Sequence, residues 1–336
     1  MFKPNYRITE YLLQLIEQIA AISSKIESKK IRFTLMTRLQ SEALERNAHS
    51  STSIEGNLLS LAQVSALNHN RDVSAAFKQK KEVLNYFKAL RWIIKNPKRK
   101  LSRVNLLELH TLITRNLLPN EKSGKFRKKQ NFVVDKNKMV VFTPPASKKC
   151  SKLISELLAW TNKGIKTHPI ILSAIFHHQF VNIHPFSDGN GRVARAAAQW
   201  MLYQKNFDPY HILSLDDFYA GDRDKYYSKI QQARELDYDF TSWIEYVAEG
   251  ILATLKKTYS RIHKLSYSSQ EKITITPKQE ELLNLLYMHG SLGSKKLCKL
   301  LKINRARVNQ LISPLVEAKI IKKEGKARAT NYYIRK

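Results

Sequence analysis

The chain has 336 residues, of which 43% are hydrophobic, and a formal net charge of +30. This length allows two or more packed cores, and no apolar run reaches the roughly 20 residues of a membrane-spanning helix. The N-terminus has no signal-peptide pattern, so we expect a cytoplasmic protein with no membrane partner. Its two cysteines, Cys150 and Cys298, lie far apart, which predicts neither a disulfide framework nor a zinc site.

The excess of positive charge indicates polyanionic partners or a field that attracts nucleotides. Residues 271–336 contain 15 lysines and arginines against 5 aspartates and glutamates, a net charge of +10. Residues 1–270 contain 43 against 23, a net charge of +20 over four times the length. The C-terminal part is therefore about twice as basic per residue as the rest. Lysines occur in every segment, so a general lysine bias also explains the charge.

The N-terminal region is predicted to be helical. Apolar residues recur at helical spacing over residues 8–26, and a second helical stretch over residues 42–47 leads to the hexapeptide at 51–56. A long amphipathic helix is predicted over residues 73–94, and Pro97 marks its end. We take residues 1–97 as a first domain and residues 98–265 as a second.

Residues 123–142 depart from the helical pattern. Two runs rich in valine, at 132–134 and 139–142, flank a polar stretch, which predicts a β-hairpin. Helices are predicted before it, at 106–117, and after it, from 151–161 onwards through residue 251. The expected fold class is therefore all-α, with one small hairpin.

The dodecapeptide at residues 184–195 reads His-Pro-Phe-Ser-Asp-Gly-Asn-Gly-Arg-Val-Ala-Arg. It lies between apolar-periodic stretches at 170–183 and 193–203, so it forms a loop that opens a helix. Free backbone N–H groups and the positive end of the helix dipole make such a place an anion site. Gly189 and Gly191 allow a tight turn and the close approach of a phosphate.

The side chains of this dodecapeptide fit phosphate chemistry. Arg192 and Arg195 lie three residues apart on one helical face, as two forks suited to phosphate oxygens. Asp188 is able to hold a divalent cation between phosphates. His184 alone in the set can take a proton near neutral pH.

The C-terminal part, residues 272–336, is predicted to be a separate domain after a polar linker at 266–271. Three helices are predicted, at 279–288, 294–301 and 305–318, followed by two short strands around a basic turn within 320–334. This order resembles a winged helix-turn-helix domain. Pro314 falls inside the third helix, where it is expected to break or kink it. We expect the residues of this domain that contact DNA to be exposed on the third helix and on the wing. They are Arg305, Arg307, Asn309 and Gln310 on the helix, and Lys322, Lys323, Lys326 and Arg328 on the wing.

The dodecapeptide resembles the Fic family signature, His-Pro-Phe-x-x-Gly-Asn-Gly-Arg-x-x-Arg, at every specified position. Residues 177–183 resemble the family's lead-in helix, and residues 124–134 and 142–145 resemble its substrate-aligning hairpin and the segment after it. The resemblance covers roughly residues 40–255. It implies an all-α Fic-fold bundle with a small β-hairpin flap, here followed by the winged-helix domain.

The resemblance also implies an activity: transfer of AMP from ATP to a Tyr, Thr or Ser hydroxyl of a target protein or of the chain itself. His184 would be the general base, and Asp188 would hold Mg²⁺. Gly191 stands where the phosphotransferring Doc branch has a lysine, which favours adenylylation. The nucleotide would be bound by Gly189, Asn190, Gly191, Arg192 beside the leaving pyrophosphate, Arg195 at the γ-phosphate, and Tyr226 and Tyr227 near adenine.

Regulation is implied by residues 51–56, Ser-Thr-Ser-Ile-Glu-Gly, which resemble the family's inhibitory pattern Ser/Thr-x-x-x-Glu-Gly/Asn. Ser51, Glu55 and Gly56 occupy its specified positions, N-terminal to the core. A carboxylate at Glu55 beside Arg195 would pair with the guanidinium and take the place of the γ-phosphate.

Several alternatives stay open from the sequence. The chain can be a DNA-binding regulator with a nucleotide-sensing core, or an enzyme that also removes AMP. The C-terminal domain can serve protein contacts, and a homodimer is open. A dormant scaffold is disfavoured because His184 and Arg195 are intact. A metal hydrolase using His177, His178 and His184 is disfavoured because no His-Glu-x-x-His helix is present.

Overall fold

The computed structural model describes residues 2–29, 31–134, 137, 139–163, 166–208, 210–268, 274–325 and 330–335, and for residues 265–268 the backbone alone. The helices of this part are α1 Glu10–Glu27, α2 Phe33–Ile54, α3 Leu61–Asn68, α4 Phe77–Lys95, α5 Arg103–Thr114, α6 Cys150–Lys163, α7 Pro169–Ile183, α8 Asn190–Gln204, α9 Leu215–Gly221, α10 Arg223–Glu235, α11 Thr241–Ser268, α12 Pro277–His289, α13 Ser294–Leu301 and α14 Arg305–Glu317. The strands are β1 Val133–Val134, β2 Val140–Phe142, β3 Leu292–Gly293, β4 Ile321–Glu324 and β5 Asn331–Ile334. The all-α fold class with one small hairpin in the body is confirmed. No helix within these ranges is long and apolar enough to cross a bilayer.

Two adjoining helices, α7 and α8, form the centre of the body. Helix α7 is apolar on all sides and almost entirely buried, as expected of a helix surrounded by protein. Phe176 and Phe180 pack into one hydrophobic cluster with α4 and α5. Ile171 and Ile175 pack into a second cluster with α1 and α11. The loop between α7 and α8 is therefore anchored in both clusters.

Helix α2 is the largest difference from the sequence prediction, because it begins at Phe33 rather than near residue 42. Its buried face is largely polar and includes Glu45, Asn47, Ser50 and Ser51. These polar residues interrupt the apolar spacing of Leu39, Ala43 and Leu44, which weakens the periodic signal that identifies helices in a sequence. The short helix α3 was not predicted either.

The hairpin is confirmed by the antiparallel pairing of β1 with β2, in which Val133 faces Phe142. Several of its apolar side chains are exposed, among them Phe132, Val134 and Val140. Of the predicted turn, residues 135, 136 and 138 lie outside the described residues.

The C-terminal part has the three predicted helices and a three-stranded antiparallel sheet of order β3-β5-β4, of which β3 was not predicted. Helix α12 begins at Pro277, and Thr276 and Gln279 form a capping box at its N-terminus. Helix α14 runs through Pro314 to Glu317, so the expected break is wrong. Pro314 lies in the last turn on the exposed side, where little more than one backbone hydrogen bond is lost.

The predicted linker falls partly on α11, which continues to Ser268, and otherwise on residues outside the described ranges. Beyond it the C-terminal part packs on the body through the end of α3. Gly290 has φ +76°, and a Cβ there would lie 1.7 Å from the carbonyl oxygen of Asn68. Ser291 Oγ donates to the carbonyl of His69 at 2.9 Å, and the His69 ring stacks on Tyr333 with centroids 4.4 Å apart. The winged-helix assignment and the three domain boundaries stay predictions.

Candidate active site

The loop between α7 and α8 is closed by its own backbone and by one amide. His184 ends α7 in a left-handed conformation, φ 49° and ψ 57°, and Gly189 precedes α8 with φ 81°. Asn190 Oδ1 accepts from the Phe186 N–H at 2.9 Å, and Asn190 Nδ2 donates to the Phe186 carbonyl at 2.9 Å. Both ends of this buried amide are thus used within the loop. The Asn190 side chain therefore shapes the loop and is not free to face a ligand.

His110, on α5, packs against this loop and was not identified in the sequence. Its Nδ1 accepts from the Gly124 N–H at 2.8 Å, so Nε2 carries the proton and donates to the Asp188 carbonyl at 3.0 Å. The ring stacks on Phe186 with centroids 3.7 Å apart. Burial lowers the pKa of His110 from 6.5 to about 4. His110 therefore stays neutral and holds the backbone that presents Asp188.

Arg127 supports the loop from the hairpin side and was missed as well. It is 6% exposed, and its Nε donates to the carbonyl of His184 at 2.8 Å. Its backbone N–H donates to the carbonyl of Pro185 at 2.8 Å, and Nη2 donates to the carbonyl of Pro145. The guanidinium therefore joins the base of the hairpin segment to the loop that carries His184.

His184 is half-buried and poised as a proton acceptor. Its Nδ1 lies 3.2 Å from the carbonyl of Val181, so Nδ1 donates and Nε2 keeps its lone pair. Burial lowers the pKa of His184 below its ordinary value, while the bond to Val181 and the charge of Glu55 oppose this. The imidazole is consequently neutral at pH 7.

Arg195, on α8, is 2% exposed and points at the end of α2. Its Nε donates to Ser51 Oγ at 2.8 Å, and its Nη2 donates to the Ser51 carbonyl at 2.8 Å. The same Nη2 donates to Glu55 Oε1 at 2.7 Å. The structure thus brings together the three sequence-predicted residues Ser51, Glu55 and Arg195. Gly56 follows with φ +94° as the chain leaves the helix.

Gly191 lies directly beneath the Glu55 carboxylate. A Cβ at position 191 would be 2.3 Å from Glu55 Oε1 and 3.1 Å from Arg195 Nη1. No side chain fits in that space without moving the carboxylate. The glycine of the motif is therefore required by the approach of Glu55 in this state, besides any approach of a phosphate.

The two tyrosines assigned to the adenine pocket have different surroundings. Tyr226 is 1% exposed; its hydroxyl lies 3.0 Å from His177 Nε2 and 3.4 Å from Arg195 Nη1. It is packed within the aromatic core behind Arg195, and its assignment near adenine stays a prediction. Tyr227 is 40% exposed and its hydroxyl lies 3.4 Å from the Ile54 carbonyl, beside Glu55.

Arg192 is 3% exposed and incompletely satisfied. Its Nη2 lies 3.4 Å from Asp188 Oδ1, and its Nη1 lies 3.8 Å from Glu82 Oε1, an ion-pair distance too long for a hydrogen bond. Within the part of the chain that the structure describes, its Nε and Nη1 are buried with no hydrogen-bond partner. Such groups are costly to bury, so an anion that accepts from them is strongly favoured. Glu82, on α4, was not identified in the sequence.

Asp188 fits a magnesium site shared with phosphates. Its side chain is 58% exposed, next to the N-terminus of α8. The described residues contain no group of three or more His, Cys, Asp or Glu able to hold a metal by themselves. Mg²⁺ commonly takes one or two carboxylates and completes its shell with phosphate oxygens and water. One exposed carboxylate beside a helix N-terminus is compatible with this requirement.

The histidines of α7 are structural. His177 pairs with Tyr226, and His178 Nε2 lies 2.8 Å from the carbonyl of Ile230 while its Nδ1 accepts from Asn182. Burial lowers the pKa of His178 to about 3 and that of His177 well below 6.5. Both point toward α10 and the aromatic core rather than toward His184, which removes the metal-hydrolase alternative.

The predicted DNA-contacting residues lie on the exposed side of α14, away from this site. Arg307 Nη1 donates to Gln310 Oε1 at 3.0 Å, and the helix is capped by Asn304. Lys322 and Lys323 are exposed on β4, while Lys326 and Arg328 lie outside the described residues. Exposed on α14 are Arg305, Arg307, Asn309 and Gln310.

The loop between α7 and α8 lies in a region that matches a known protein family. The Fic/DOC family model matches residues 100–202, which include the whole dodecapeptide. This part of the chain is therefore similar to a Fic domain. Among solved structures, a Fic family protein from Desulfovibrio desulfuricans G20 superposes with a TM-score of 0.68 at 23% identity, covering 99% of this chain and 98% of that one. Fic-1 (aa134 - 508) from C. elegans has a TM-score of 0.63 at 23% identity over 76% of this chain and 73% of that one.

Sequence relatives carry an activity in their names. The protein adenylyltransferase Fic of Aedes aegypti is 28% identical over 227 residues, 66% of this chain and 42% of its own length. The protein adenylyltransferase fic-1 of Caenorhabditis briggsae is 28% identical over 67% of this chain and 43% of its own length. The chain thus spans less than half the length of these relatives.

The neutral state of His110 predicts a loss of stability in acid. Below pH 6.5 the unfolded chain protonates this histidine, whereas the folded chain keeps it neutral down to about pH 4. The folded state therefore loses up to about 3 kcal/mol from this group as the pH falls through that window. Urea unfolding of His110→Asn should show a smaller loss over the same window than the wild type. Phe186→Leu, which removes the stacking partner but keeps the titrating group, should retain the wild-type slope; equal slopes for all three would refute this account.

Proposed function

We propose that the chain is a protein adenylyltransferase, which moves AMP from ATP to a Tyr, Thr or Ser hydroxyl of a target protein or of itself. One arrangement carries the proposal: a neutral His184 beside the N-terminus of α8, where the buried guanidinium of Arg192 has donors without partners. A base next to an anion site is what hydroxyl attack on a nucleotide needs. The names of the sequence relatives support the same activity. ATP as co-substrate agrees with the cytoplasmic location expected above.

The residues have distinct tasks in the transfer. His184 Nε2 takes the proton of the target hydroxyl as its oxygen forms a bond to the α-phosphorus. The bond from that phosphorus to the oxygen bridging to the β-phosphate breaks, and pyrophosphate leaves. Arg192 and the first N–H groups of α8 stabilise the charge on the phosphates. Mg²⁺ bound at Asp188 would offset phosphate charge.

The hairpin β1–β2 is the proposed docking place for the target segment. Asn131, at its base, donates to the carbonyl of Phe186 at 3.0 Å, and Arg127 joins the same segment to His184. An extended target strand paired along the hairpin would bring its hydroxyl to the side of the loop where His184 lies. The exposed apolar side chains Phe132, Val134 and Val140 offer contacts to such a strand.

The proposed resting state is autoinhibited. Arg195 would bind the γ-phosphate of ATP, but its Nη2 already donates to Glu55 Oε1 at 2.7 Å, and the Glu55 carboxylate lies over Gly191. The carboxylate is 32% exposed on a helix end, whereas the guanidinium is fixed and buried. Release therefore requires movement of Glu55 alone or of the last turn of α2. While Glu55 stays, ATP binds only with its phosphates displaced from the productive pose.

Replacing the base tests the activity. His184→Ala should reduce AMP transfer by about 10²–10⁴-fold, because a positioned general base contributes that much. The wild-type rate should fall only below pH 6.5, since burial lowers the pKa of His184. Incubation with Mg²⁺, α-labelled ATP and a cell lysate measures the transfer. His263→Ala, exposed on α11, is the matched control. Label arriving from the γ-phosphate instead of the α-phosphate would make the chain a kinase and end the proposal.

Removing the inhibitory carboxylate tests autoinhibition. Glu55→Gly should raise AMP transfer roughly tenfold or more, the value of a charge-assisted hydrogen bond that no longer competes with ATP. Arg195→Ala should lower transfer even in the Glu55→Gly background. Glu27→Gly, at the exposed end of α1, controls for loss of a helix-end glutamate. An unchanged rate for Glu55→Gly at saturating ATP would reduce Glu55 to a helix-end residue.

A second candidate function is DNA binding by residues 272–336, favoured by the exposed polar and basic face of α14 and β4 described above. Selection from a random duplex library with the full chain should enrich a preferred sequence, with binding that weakens steeply as salt rises. Arg305→Ala should lose sequence preference, whereas Lys323→Ala should mainly lower affinity, because a wing lysine meets phosphates. If no sequence is enriched, this face serves protein contacts or dimerisation and the enzyme proposal is unaffected.

A further inference from the structure

A cavity of about 180 Å³ lies between α2, α9 and α11, outside the Fic motif. Leu39, Ala43 and Arg46 line it from α2, where their spacing of four and three residues places them on one face of that helix. Asp217 and Phe218 line it from α9. Helix α11 contributes Ala253, Thr254, Lys257, Thr258 and Arg261.

The lining combines apolar side chains with three cations. Leu39, Ile212 and Phe218 provide apolar surface, and Arg46, Lys257 and Arg261 provide the positive charge. The arginines are about two-thirds buried, with 30% and 32% of their side chains exposed. Ligand sites are typically of this kind, mostly apolar with a few placed polar groups.

The charges around the cavity do not balance. Asp217 Oδ2 accepts from Arg46 at 3.4 Å and from Lys257 at 3.2 Å, so one carboxylate serves two cations. Glu42 likewise forms ion pairs with two cations, with Arg38 at 3.2 Å and with Arg261. The three lining cations, together with Arg38 outside the lining, therefore share two carboxylates, Asp217 in the lining and Glu42 outside it. The excess of two positive charges equals the charge of one phosphate monoester near neutral pH, about −1.5 to −2.

We propose that this cavity is a binding site for a small phosphate monoester with an apolar body. The phosphate would bind between Arg46, Lys257 and Arg261, and the body would pack against Leu39 and Phe218. An arginine guanidinium can donate two parallel hydrogen bonds to phosphate oxygens. The apolar walls of the cavity favour a ligand whose remaining surface is apolar.

The site is connected to the active site through α2. Asp217 Oδ1 accepts from Ser50 Oγ at 3.2 Å, and the next residue, Ser51, binds Arg195 with both its side chain and its carbonyl. A ligand that touches α2, α9 and α11 together favours the form in which α2 is docked. The binding site itself does not depend on the proposed AMP transfer.

Calorimetric titration of the full chain tests the proposal, with phenyl phosphate and inorganic phosphate as the probes. Phenyl phosphate should bind more tightly than inorganic phosphate. Arg46→Gln and Lys257→Gln should each weaken phenyl phosphate about tenfold or more, the cost of one charge-assisted contact. Lys256→Gln, whose lysine pairs with Gln18 on α1, is the matched control and should bind as the wild type does.

Thermal melting of each variant checks that the fold is kept, and Lys257→Gln, at a side chain 59% exposed, is the variant least able to disturb it. No binding of phenyl phosphate to the wild type at millimolar concentration would overturn the proposal. Binding that Arg46→Gln and Lys257→Gln leave unchanged would place the probe elsewhere and overturn it equally. Equal affinity for the two probes would overturn the assignment to a ligand with an apolar body.

Discussion

The buried guanidinium of Arg195 is the group on which the arrangement of the site depends. A charge with 2% exposure is costly unless anions and hydrogen bonds surround it. Ser51 and Tyr226 satisfy part of it. The buried carboxyl group of Asp216, which accepts from the Tyr86 hydroxyl at 3.1 Å, lies nearby, and burial raises its pKa. The remaining donor needs an anion, which is Glu55 in this structure. An ATP phosphate is the proposed alternative, so inhibition and nucleotide binding share one donor.

This requirement also accounts for the unusual character of α2. The helix packs with a polar buried face because it must bring Ser51 and Glu55 to a charge inside the body. The loop between α7 and α8, which faces the end of α2, is also held firmly. His110, Arg127 and Asn190 fix it through hydrogen bonds to backbone carbonyls and N–H groups. In the proposed account, a rigid loop and a movable helix-end carboxylate give a nucleotide site that Glu55 blocks reversibly.

The sequence predicted those features that local pattern encodes. The apolar periodicity of α7 and α8, the valine-rich hairpin and the dodecapeptide were all recognisable in contiguous residues. The start of α2 was not, because polar residues make up most of its buried face and weaken the apolar periodicity. His110, Arg127 and Glu82 come from distant segments and act through tertiary contacts, which no spacing rule reveals. Asn190 and Tyr226 were recognised, but their roles depend on burial, which the sequence does not state.

The competition for Arg195 is tested most directly by comparing the affinities of ATP and ADP, which differ only in the γ-phosphate. In the wild type we expect similar dissociation constants in the presence of Mg²⁺, because Glu55 occupies the guanidinium. In Glu55→Gly we expect ATP to bind roughly tenfold or more tightly than ADP, since the γ-phosphate then gains a charge-assisted contact. A ratio of ATP to ADP affinity that is the same in both proteins would contradict the account.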